Sequence, residues 1–138
     1  MTDADLIAKK LAFIETCVVQ LQTLARPDQL ASDIREERFV EHTLQLAIQA
    51  ALDVASHIVS EGRLGEPRTN GELFDLLCGA GWIEEGQRGV LRKMAGFRNL
   101  VVHGYMTVDL AILRSIVENN LEDLLAFAGA IRSRLPAP

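Results

Sequence analysis

Arg98, His103 and Tyr105 fall within eight positions, in the stretch Arg98-Asn99-Leu100-Val101-Val102-His103-Gly104-Tyr105. An arginine grips phosphate through a fork of N–H donors, and a histidine exchanges protons near neutral pH. Placed this close together, they point to phosphoryl chemistry rather than packing. The residues leading in (Val90, Leu91, Met94, Ala95, Phe97, Val101) recur at helical spacing. Gly104 suits the left-handed turn that closes many helices. Arg98 and His103 would diverge by roughly 140° on one unbroken helix. The spacing therefore predicts a helix that ends between them, with Gly104 turning His103 and Tyr105 back toward Arg98. At a helix C-terminus the dipole favours protonated histidine, which suits it as a general acid and as a phosphate contact.

Cleaving RNA by internal transfer takes a base for the ribose 2′-hydroxyl and an acid for the 5′-oxygen. One histidine is too few. A symmetric dimer would present two copies of the motif across one cleft, where the two Arg98 side chains would hold the phosphate and offset its developing charge. No metal is needed, and the sequence shows no obvious His/Asp/Glu cluster to hold one. Taken singly, an arginine is usually an ion-pair partner, a histidine at a helix end a cap, and a tyrosine an apolar anchor. Only their combination carries weight.

Several elements must position this motif. Leu6, Ile7, Leu11, Ile14, Val18, Leu21 and Leu24 make one stripe of a helix from about Asp3 to Ala25, stopped by Arg26-Pro27. A second helix runs from Ser32 or Asp33 to about Ser60, its core face formed by Val40, Leu44, Ala47, Ile48, Ala51, Val54, Ala55 and Ile58. Gly62, Gly65 and Pro67 make a loop. Thr69 with Glu72 has the spacing of a capping box and opens a short third helix ending near Cys78-Gly79-Ala80-Gly81. A fourth helix spans about Glu84 to Val102. Thr107 and Asp109 begin a fifth, whose stripe continues through Leu113, Val117, Leu121, Leu124 and Phe127. The expected fold is all-α: an antiparallel bundle of four long helices plus one short helix.

With 138 residues the chain reads as one domain, 1–138, with 1–3 and 135–138 frayed. No apolar run is long enough to span a bilayer and no signal peptide is visible, so a soluble cytoplasmic protein is expected, without a membrane partner. Cys17 and Cys78 read as buried free thiols. A net charge of −5 argues against nonspecific coating of nucleic acid. Even so, Arg88, Arg92, Lys93, Arg98 and Arg114 between positions 88 and 114 face Asp109 alone. Arg88, Arg92 and Lys93 are thus candidate RNA contacts, although a solvated helix face fits equally well.

The Arg98-(four residues)-His103-Gly104-Tyr105 pattern resembles the RX4HXY signature of HepT-like ribonuclease toxins in the HEPN superfamily. The likeness extends over Phe39 to Val59, Asn70 to Leu77, Met94 to His103 and Thr107-Val108-Asp109, and covers roughly Leu6 to Ile131. It implies a HEPN-like homodimer and a metal-independent endoribonuclease acting on tRNA or mRNA, with no cofactor. It also implies a cognate MntA-type minimal nucleotidyltransferase antitoxin that transfers AMP onto the motif tyrosine. Arg98 and His103 would be catalytic, Asn99 a supporting contact, and Tyr105 the AMPylated hydroxyl. The family commonly has an arginine early in its second helix. Here Glu37-Arg38 stands earlier and His42 lies nearer that place, either as its replacement or as a surface residue. The polar line Gln45, Gln49, Asp53, His57 fits either a solvated stripe or, for Asp53, a role at the dimer interface or in supporting the motif. The alternative to an RNase is a non-catalytic HEPN subunit that binds or scaffolds a nucleotidyltransferase. A helical dimerisation module without chemistry would tolerate alanine at Arg98 and His103.

Overall fold

The computed structural model describes residues 3–103 and 109–136, and every regular element among them is helical. The order is α1 (Ala4–Leu24), a 3-10 turn (Pro27–Gln29), α2 (Ile34–Gly62), α3 (Asn70–Gly79), α4 (Glu85–His103), α5 (Leu110–Asn119) and α6 (Leu121–Arg132). Polar caps fix the starts. Asp3, Asp33, Thr69 and Asp109 each accept a hydrogen bond from a backbone N–H in the first turn that follows. At α3 the capping-box spacing forms with a shift. Glu72 N–H donates to Thr69 Oγ1 (3.3 Å), and Glu72 Oε2 accepts from the backbone N–H of Arg68 (3.0 Å), one residue before the cap.

The long second helix is the hub, since α2 touches each of the other five. All eight residues expected on its core face are buried. Against it α1 runs antiparallel, with Asp3 beside His57 and Lys10 beside Asp53. From α1, Ile7, Leu11, Ile14, Val18 and Leu21 enter the core, whereas Leu6 and Leu24 remain exposed. On the other side Phe74 of α3 meets Phe127 of α6 edge-on, with ring centroids 6.0 Å apart. Such a contact adds to the area both rings bury.

Four expectations need correction. The last helix is two: the chain breaks at Asn120, whose side chain donates to Asp123 (2.9 Å) while its N–H still reaches Ile116. Helix α4 does not end between Arg98 and His103 but continues through His103. Neither terminus is frayed as far as expected. Asp3 caps α1, and Leu135 packs on the core while Arg134 lies over the Trp82 ring, 4.6 Å from its centroid. Cys17 is a buried free thiol as expected, but Cys78 is only half-buried and donates to Glu85. No helix of the described residues is long and apolar enough to cross a membrane.

Candidate functional site

Arg98 and Asn99 sit near the end of α4, where the apolar face formed by Leu91, Met94, Ala95 and Phe97 fixes the helix against the core. The Arg98 side chain bends toward its neighbour, and Nη1 donates to Asn99 Oδ1 (3.2 Å). That same oxygen accepts a second hydrogen bond from Asn70 Nδ2 (3.0 Å). Asn70 is the first residue of α3, so the capped start of α3 reaches across to α4 at the motif. The two bonds on one oxygen orient the Asn99 amide and hold one end of the guanidinium. Arg98 Nε is buried and has no hydrogen-bond acceptor among the described residues. A buried donor left in that state costs about 1–3 kcal/mol, so its retention asks for a reason.

These residues open onto a groove of about 440 Å³, whose lining includes Ser56 of α2, Arg68 and Thr69 of the α2–α3 loop, Asn70, Arg98 and Asn99. Among the described residues no carboxylate lines it. Elsewhere the arginines of α4 are neutralised. Asp75 of α3 binds Arg88 (2.9 Å) and also Arg92, and Glu85 binds Arg88 as well. Hydrogen bonds donated to Asp75, and then to Glu85, hold the Arg88 guanidinium charged well above its ordinary range. Arg88 and Arg92 therefore fasten α3 to α4. Lys93 lies on another side, in a depression with Val90, Met94 and Ile112 between α4 and α5.

Of the other expected site residues, His103 closes α4, about 140° round the helix from Arg98 and about 7.5 Å further along it. Gly104, its expected left-handed turn, Tyr105 and Thr107 lie outside the described residues. Asp53 does not join the Arg98–Asn99 pair; it is bound by Gln49 Nε2 (2.8 Å) and Lys10 Nζ (3.3 Å). His57 Nε2 accepts from the backbone N–H of Asp3 (3.2 Å). Much of the polar line on α2 is thus a seam against α1 within one chain. His42 is exposed, beside Arg38 and Glu41 in a separate depression. Two contributors escaped the sequence reading, Asn70 and Arg68. Both precede Arg98 by some thirty residues and match no local motif. The capping spacing at Thr69 was the only signal for where they would stand.

The family described as "Ribonuclease HepT-like" matches residues 12–131. The chain is 32% identical over 130 residues to the mRNA nuclease HepT of Shewanella oneidensis, an alignment covering 94% of this chain and 98% of that protein. It is 32% identical over 90 residues to the tRNA nuclease HepT of Aphanizomenon flos-aquae, covering 59% of this chain and 56% of that one. Among solved structures, it superposes with a TM-score of 0.86 on a tri-AMPylated HEPN toxin of Shewanella oneidensis in complex with its MNT antitoxin. There the identity is 31%, over 97% of this chain and all of that one.

Proposed function

Because this chain belongs to the HepT-like ribonuclease family, we propose that it is the RNase toxin of a HepT/MntA-type toxin–antitoxin pair. It acts as a homodimeric endoribonuclease that cleaves by 2′-hydroxyl attack and needs no metal. One observation carries the reading to this site: among the described residues the Arg98 guanidinium has no carboxylate partner and its buried Nε–H no acceptor, and Asn99 and Asn70 aim it.

In the reaction a base takes the proton from the ribose 2′-hydroxyl, and that oxygen bonds to phosphorus. The bond to the 5′-oxygen then breaks, and an acid protonates the leaving oxygen. The products are a 2′,3′-cyclic phosphate and a 5′-hydroxyl. Arg98 offsets the extra negative charge on the phosphoryl oxygens at the transition state. His103 serves the proton transfers. Since α4 stays helical through His103, one copy does not bring the two positions together by ending early. A second protomer across the cleft supplies the missing neighbour, and with it the second histidine.

The test uses protein made without its nucleotidyltransferase partner, incubated with total RNA in chelator. Cleavage leaving 2′,3′-cyclic phosphate ends is expected. A folded, unmodified dimer that cuts no RNA would instead indicate a non-catalytic HEPN subunit.

Control passes through Tyr105. AMP on this tyrosine would set a bulky anion beside the cleft, blocking RNA and repelling its phosphates. Tyr105→Phe is expected to keep RNase activity within a few-fold and to take up no AMP from the partner, as read by intact mass. An inactive Tyr105→Phe would place the hydroxyl in binding or catalysis.

Asn70 acts through Arg98. Asn70→Ala should lower kcat about tenfold with a smaller change in KM, because Asn99 loses the donor that orients it. Asn70→Asp should be worse, since a carboxylate there would capture the guanidinium that must meet phosphate. Equal kcat in Asn70→Asp and wild type would remove Asn70 from the positioning chain.

A further inference from the structure

Resting on the ribonuclease reading, we infer that the groove between the α2–α3 loop and the end of α4 is a second phosphate subsite. It binds the backbone of single-stranded RNA one nucleotide away from the scissile position, with Arg68 as its principal contact. Three observations place it there. Arg98 itself lines the groove, so any strand held by Arg98 must leave past it or on the opposite side. At about 440 Å³ it has room for a sugar-phosphate unit, and its walls carry hydroxyl and amide groups from Ser56, Thr69, Asn70 and Asn99 suited to ribose and phosphate oxygens.

Charge is the third. In a chain of net charge −5, the described lining of this groove holds two guanidinium groups and no carboxylate. Arg88, Arg92, Arg114 and Arg132 each bind a carboxylate; of the arginines that bind none among the described residues, Arg68 and Arg98 are the two that line this groove. Among the described residues only the backbone N–H of Arg68 is engaged, by Glu72, which anchors the loop and leaves the exposed side chain without a partner there. Two unpaired arginines on one groove suit a phosphodiester, the repeating anion of the substrate. The stripe of Arg88 and Arg92 lies beyond, closed by Asp75, so the strand's track turns toward Arg68 rather than along α4.

The experiment measures binding of a fluorescein-labelled single-stranded oligoribonucleotide by anisotropy over a range of salt, in the His103→Ala background so that no strand is cut. Cleavage kinetics are then measured in the otherwise wild-type chain. Arg68→Ala should weaken binding about tenfold, reduce the slope of log affinity against log salt by about 0.7, and raise KM far more than it changes kcat. Arg35→Ala is the control. Its side chain lies about 30 Å away along α2 from Ser56, and it should alter neither quantity. If RNA binds and is cleaved but Arg68→Ala behaves as Arg35→Ala does, the subsite is overturned and the ribonuclease reading stands. If the wild-type chain neither binds nor cleaves RNA, both fall together.

Discussion

His103→Ala is expected to lower the rate of RNA cleavage by about 10³-fold or more while leaving the helical content and the dimer unchanged. General acid–base catalysis by one positioned group is worth about 10²–10⁴ in rate, and in a symmetric dimer the substitution removes both copies at once. The fold should tolerate it because His103 is the last residue of α4, with no later turn of that helix to support. Circular dichroism and sedimentation check the second half of this expectation. Mixed dimers sharpen the first. If both histidines act on one phosphate, equal amounts of exchanging wild-type and His103→Ala chains retain about a quarter of the wild-type activity, the square of the wild-type fraction. Half the activity would mean that each protomer works alone, and the two-copy mechanism would be wrong.

Arg98→Met should cost about 10²–10³ in kcat, the usual loss when one donor to a developing oxyanion is removed. Its effect on stability should run the opposite way from an ordinary core truncation. Methionine keeps the apolar stem and removes the buried Nε–H that has no acceptor among the described residues, relieving a penalty of about 1–3 kcal/mol. The expected result is an inactive protein with an unchanged or higher thermal midpoint. Arg98→Lys should also be inactive, because one ammonium cannot reproduce the bidentate fork. A clear fall in the melting temperature of Arg98→Met would assign Arg98 to the architecture instead of the chemistry.

The contrast between Arg98 and its neighbours shows what the sequence could and could not display. Helices α1 to α4 were legible because their apolar stripes recur at helical spacing and polar caps mark where α1, α2 and α3 begin. The break at Asn120 was not, since Leu113, Ile116 and Val117 before it and Leu121, Leu124 and Phe127 after it keep nearly the same phase. Interrupting one residue leaves the stripe intact on paper. The site was legible as a motif on α4 but not as a place. Arg88 and Arg92 looked like free cations until α3 brought Asp75 to them, from 13 and 17 residues away. Arg68 and Asn70 carried no signal of their own until the packing of α3 on α4 set them on the same groove as Arg98. Local pattern reports the face a residue takes on its own helix, whereas charge compensation is decided between helices.

The central position of α2 bears on how such a protein can be switched at all. Because each of the other described helices packs on it, a helix that peels away takes part of the shared core with it. Partial melting is then a poor off-state, for it would tend toward global unfolding and invite proteolysis. A chain built this way is better silenced reversibly by covering its reactive face than by loosening it, and a small covalent tag on an intact scaffold does that without spending the fold.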